Sequence, residues 1–144
     1  MKRRHDPRRR TAIPECIVAA ASLIGFELLS GAELLAEPKA IPPAAKRPVT
    51  FAKDIEPLLK ETCHKCHGPS RQEAGLRLDR KDDALNGGDS GPAFLVGKSA
   101  DSLLIKYVAA IDPDVVMPPE GDRLSDDSIG LLRAWIDQGA KWPE

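Results

Sequence analysis

Cys63-His64-Lys65-Cys66-His67 is the stretch from which the rest of the chain can be read. Two cysteines two residues apart, with a histidine directly after the second, form the C-x-x-C-H pattern of c-type haem attachment. Each thiol can add across one of the two vinyl groups on one edge of the porphyrin, and two intervening residues let the backbone span that edge. The next residue, a histidine, is then delivered beneath the iron as proximal ligand. Cys63 and Cys66 are the expected thioether anchors and His67 the expected fifth ligand. Two other chemistries use paired cysteines. Structural zinc usually draws ligand pairs from two separated places, and the chain holds no second Cys or His pair. A thioredoxin-like dithiol wants a βαβ context, which the pattern does not supply.

A length of 144 residues allows one domain plus a leader. Lys2, Arg3, Arg4, Arg8, Arg9 and Arg10 make a basic start, and an apolar run from Cys16 to Phe26 follows. The small residues Ser30 and Ala32 come next, so residues 1–36 read as a secretory signal peptide, with cleavage after Ala32 or Ala36. The apolar run is too short, and interrupted too soon by Glu27 and Glu33, to span a bilayer. An uncleaved membrane anchor is the alternative. Cys16 would leave with a cleaved leader. The formal charge of −1 then becomes −3, with 15 basic against 18 acidic side chains from residue 37 onward. That balance argues against nucleic acid or an anionic membrane as partner.

Residues 37–49 are rich in Pro and Ala without periodicity, and read as a semi-extended linker holding the domain away from whatever precedes it. Phe51, Ile55, Leu58, Leu59 and Thr62 recur at helical spacing, which puts the haem motif at the C-terminal end of a first helix. Pro57 fits only near its first turn. Gly75-Leu76-Arg77-Leu78-Asp79 reads as extended, Arg80 to Leu85 as a helical turn, and Gly87 to Pro92 as a turn lacking the P-loop and EF-hand residues. A second helix opens at Asp101-Ser102, with Leu103, Leu104, Tyr107 and Val108 as its apolar face and Pro113 as its stop. The last helix has Ser125 as N-cap, Asp126 and Asp127 in its first turn, and Gly139 after its end. Its stripe is Ile129, Leu132 and Ile136, with Leu131 and Trp135 beside it. Phe51 and Trp135 are the aromatics that fall on the end-helix faces. A domain this small has a thin core, and a buried haem would supply apolar mass. The expected fold is all-α, with three to four short helices around one covalently attached haem, and long loops.

The iron's other face is assigned by elimination. His5 belongs to the leader, and His64 is locked between the anchoring cysteines. Met117 is the one methionine that remains after leader removal, and Pro118 and Pro119 stiffen the loop that follows it. Filling core space is the ordinary use of methionine, but thioether ligation suits this position and raises the iron's potential.

The series Phe51, Asp54-Ile55, Pro57-Leu58-Leu59, Cys63, Cys66-His67-Gly68-Pro69, Gly75 to Asp79, Gly87-Gly88, Ser90-Gly91-Pro92, Met117-Pro118-Pro119, Leu124-Ser125 and Trp135 to Pro143 resembles the planctomycete-type cytochrome c domain. The resemblance spans residues 50–143 and assigns 50–144 to that domain. It implies a class I-like cytochrome c fold, one haem c bound through Cys63 and Cys66, His67 as proximal ligand and Met117 as distal ligand. In that family the domain usually stands near the N-terminus of much longer exported proteins. Here the chain stops where the cytochrome unit ends, so a free-standing carrier and the haem module of a truncated larger protein are both open.

The expected function is one-electron transfer by an exported or periplasmic protein to a redox partner protein, with no catalytic residues and membrane contact only through an uncleaved leader. Two other classes are defined by different chemistry. A haem peroxidase or small-ligand binder needs an open distal position, and a structural haem module would exchange no electrons.

Overall fold

Pro57 decides how the first helix begins, because it has no N–H to donate back along the chain. The computed structural model, which describes residues 39–143, places a π-helical turn at Phe51–Ile55 directly before helix α1, Glu56–Thr62. The Glu56 N–H donates five residues back, to the Phe51 carbonyl. Pro57 then falls in the first turn of α1, where a missing donor is not felt. Asp54 locks the start of this stretch. Its carboxylate accepts from the Thr50 N–H at 2.8 Å and from the Arg47 guanidinium at 2.7 Å. Its side chain is only 7% exposed.

Three further helices follow: α2, Lys81–Asn86; α3, Leu103–Val108; and α4, Asp126–Asp137. Single 3₁₀ turns at Glu73–Gly75 and Ser99–Asp101 punctuate the loops. Among the described residues there is no β-strand, and the two isolated bridges pair His67 with Gln72 and Gly88 with Gly91. The all-α expectation therefore holds for this region.

Helix ends show why the boundaries fall where they do. Ser125 caps α4 by accepting from the Ser128 N–H at 3.2 Å. At its other end the Gly139 N–H donates to the Ile136 carbonyl and the Ala140 N–H to the Trp135 carbonyl, a Schellman closure with Gly139 left-handed at φ 99°. Helix α3 closes in the same way, through Ala110 to Tyr107 and Ile111 to Lys106. There the left-handed residue is Ala110, at φ 51°. The closure stops α3 at Val108, several residues before the proline expected to end it.

The deepest residues are Ile55, Leu59, Ile105, Leu132, Trp135 and Ile136. Around Trp135 stands an aromatic cluster. Phe51 stacks on Trp142 at 4.3 Å between ring centroids, and Phe94 meets Trp135 edge-on at 5.1 Å. The Trp135 indole N–H donates to the Lys141 carbonyl at 3.1 Å. Phe51 and Trp135 were legible from helical spacing. Phe94 and Trp142 were not, because both lie outside helices.

The segment read as a spacer lies on α4 instead. Arg133 donates from Nη1 to the Pro42 carbonyl, and the Ala45 N–H donates to the Gly130 carbonyl at 2.9 Å. Gln138 accepts from the Val49 N–H at 3.0 Å and donates to the Arg47 carbonyl at 2.9 Å. The backbone is extended, as its composition suggested, but it is bound, and the described residues all belong to one compact unit. Proline-rich composition removes competing backbone structure without deciding whether the chain is free or docked. The signal-peptide reading of 1–36 lies outside the described residues. Among the described residues, no helix is long and apolar enough to cross a membrane.

Asp54 gives this fold a pH dependence. The Arg47 hydrogen bond, followed by that of the Thr50 N–H, lowers its carboxyl from 3.8 to about 2. A depressed folded-state value contributes stability that is complete above about pH 4 and lost as pH falls toward about 2. Denaturant melts of wild type and Asp54→Asn should therefore differ at pH 6 and converge by pH 2. Parallel curves over that range would remove Asp54 from the acid response.

Candidate haem site

The motif begins where α1 ends. The Cys63 and His64 N–H groups both donate to the Leu59 carbonyl, at 2.8 and 2.9 Å. Those of Cys66 and His67 donate to the Cys63 carbonyl, at 3.1 and 2.8 Å. The five residues thus wind as a continued turn and bring both cysteines and His67 to the wall of one cavity.

A return segment then clamps the turn. The Glu73 N–H donates to the Cys66 carbonyl at 2.9 Å, and the Leu78 N–H to the His67 carbonyl at 2.8 Å. His64 is held from the same side: its Nε2 lies 3.1 Å from the Leu78 carbonyl, which can only accept, so Nε2–H donates. His64 is not part of the cavity wall. Gly68 makes the reversal possible, because a Cβ there would stand 2.4 Å from the His64 carbonyl oxygen.

The cavity is a cleft open on one side, with about 170 Å³ of internal space. Met117 lines it together with Pro118 and Pro119. The Met117 N–H donates to the Tyr107 carbonyl at 3.1 Å, tying this loop to the last turn of α3. All four residues singled out from sequence, Cys63, Cys66, His67 and Met117, therefore share one cavity. The apolar face expected on α3, Leu103, Leu104, Tyr107 and Val108, is also cavity wall. Ile105, absent from that pattern, is fully buried and joins the core. Helix α3 is thus apolar toward both the cavity and the core, which a single-stripe reading of a short helix cannot show. Leu76 and Leu78, read only as an extended segment, add to the wall.

The donor set fits a haem. Its wall is largely apolar, as a porphyrin face requires, and the two thiols and the imidazole lie along it. His67 is 9% exposed, and its Nδ1 has no hydrogen-bond partner among the described residues. A buried polar atom left in that state costs on the order of 1–3 kcal/mol, so the imidazole is not committed to the protein. The alternatives fit less well. Burial, and then the neighbouring Cys66, push the Cys63 thiol up to about 11. It is protonated at neutral pH, the reverse of an activated dithiol. Among the described residues no group of three His, Cys, Asp or Glu side chains converges as a metal site.

Gly68→Ala should cost about 2–3 kcal/mol of stability, because the new methyl must push a backbone carbonyl that the motif turn holds in place. Chemical denaturation of the haem-loaded protein measures this. A change below about 0.5 kcal/mol, the level of an ordinary surface substitution, would show that the turn is looser than its hydrogen bonds imply.

A family model described as planctomycete cytochrome C matches residues 63–121, a span that starts on the first motif cysteine and contains His67 and Met117. No curated protein and no solved structure matches the chain. Motif, cavity and family match meet on the same residues, and the match supports a planctomycete-type cytochrome c domain at residues 63–121.

Proposed function

We propose that this domain is a monohaem electron carrier of the exported compartment. Cys63 and Cys66 would hold one haem c covalently, and His67 and Met117 would supply the side-chain ligands to its iron. The observation that carries the reading is the shared cavity: the end of α1, the apolar face of α3 and the Met117 loop all contribute wall to it. When bound, the group supplies one-electron exchange between two iron states. The protein's own residues position it, exclude water from its faces and fix its axial environment. An imidazole and a thioether both supplied by the chain would leave no place at the iron for a substrate, so the reading is a carrier and not an enzyme. Its partner is then a redox protein. Residues 1–36 act as an export leader in this reading, consistent with the oxidising compartments in which c-type attachment is completed.

The apolar wall also links haem to folding. In a domain with so small a core, a haem packed on that wall would add contacts, and a ligand held only by the native state stabilises it. Cys63→Ala combined with Cys66→Ala should therefore give an exported chain with no haem stain after denaturing electrophoresis and a much reduced folded fraction. A haem-stained band from the double variant would refute covalent attachment at this motif.

Met117→Ala should leave the porphyrin attached while removing the thioether. Sulfur favours reduced iron, so the reduction equilibrium should move toward the oxidised state by at least about tenfold, 59 mV for one electron. Carbon monoxide should then bind the reduced protein rapidly at neutral pH. An unchanged spectrum and potential in the variant would assign Met117 to core filling.

A further inference from the structure

Among the residues lining the cavity there is no lysine or arginine, and the one carboxylate is Asp89. That is a notable wall for a group that carries two anionic propionates. The basic residues nearest in sequence are engaged elsewhere. Arg71 pairs with Glu73, Arg77 with Asp79 at 2.6 Å, and Arg80 with Asp83 at 3.3 Å. Lys65 and Arg123, next in sequence to wall residues, are exposed, and Lys106, next to Tyr107, is half-buried; none of the three is part of the wall.

Asp89 is also held in place. It sits in the Gly87–Gly91 turn, whose ends are joined by Gly88 N–H to Gly91 O at 3.1 Å and Gly91 N–H to Gly88 O at 2.9 Å. Its own N–H donates to the Ala74 carbonyl at 2.8 Å, so the turn is stitched to the segment that clamps the haem motif. A turn that sequence reading left without a function thereby carries a carboxylate at the cavity rim on a backbone that is tied down.

We propose that Asp89 sets the reduction potential of the site: its carboxylate, carried at the rim of a wall that holds no lysine or arginine, favours the more positively charged oxidised state. This rests on the haem-binding reading above. The physical basis is Coulomb interaction between the carboxylate and the charge that changes on oxidation. Because Asp89 is exposed at the rim, the effect is moderate and weakens with salt.

The experiment is a redox titration of haem-loaded wild type, Asp89→Asn and Asp89→Lys at neutral pH, in low and high salt. Asp82→Asn serves as control, since it removes the same charge from an exposed position of α2 outside the cavity. Asp89→Asn should shift the equilibrium toward the reduced state by about threefold. Asp89→Lys, a twofold larger change of charge, should shift it by about tenfold, 59 mV. The axial-ligand spectrum should stay the same, and the differences should shrink in high salt. Haem-loaded Asp89 variants with the potential of the Asp82→Asn control would overturn the role of Asp89 alone. A wild type without covalent haem would overturn the underlying reading and this inference with it.

Discussion

The clamp on the motif turn is the constraint from which the rest follows. Cys66 and His67 offer their carbonyls to Glu73 and Leu78, so the chain that leaves the motif must return along it at once. That return is why Gly68 stands where a side chain would strike the His64 carbonyl. It also turns His64 toward Leu78, leaving His67 as the motif imidazole in the cavity wall. Without the clamp, two cysteines and two histidines on one turn would have no defined inner and outer side.

The small apolar interior is one cluster that runs from the aromatic group, with Trp135 among Phe51, Phe94 and Trp142, to the cavity wall, which it shares through Leu78, Ala93, Leu104 and Val108. Helix α3 sends Ile105 into the core and Leu103 and Tyr107 to the cavity. Two polar ties hold the loops beside α3 in place. The Met117 N–H is bound to the Tyr107 carbonyl, and the Ser99 N–H and hydroxyl are both bound to Asp137 on α4, each at 2.8 Å. The distal loop is therefore positioned by the same short helix that walls the cavity.

Much of the candidate site could be read from sequence because its chemistry is local. The spacing of Cys63, Cys66 and His67 is set by covalent reach across a porphyrin edge, so five residues suffice to identify it. Met117 needed the whole chain, since its argument was the lack of competing ligands. Helix α4 was legible from Ser125 to Gly139 because caps and stripe agree. What escaped was non-local. Phe94 is a core residue and Trp142 packs against the core by virtue of what they meet, and no periodicity marks a loop aromatic. The docking of residues 41–49 on α4 rests on Arg133 and Gln138, more than eighty residues away. The end of α3 at Val108 was missed because an alanine, Ala110, occupies the left-handed position that glycine normally signals.

Axial ligation is the central claim, because it distinguishes a carrier from a ligand binder and ties the Met117 loop to function. Iron K-edge X-ray absorption on the purified, oxidised, haem-loaded protein reads the iron's nearest neighbours directly. One sulfur and five nitrogens around iron are expected, with the sulfur lost in Met117→Ala. A first shell of nitrogen and oxygen alone in the wild type would contradict the assignment of Met117 and leave the distal face open.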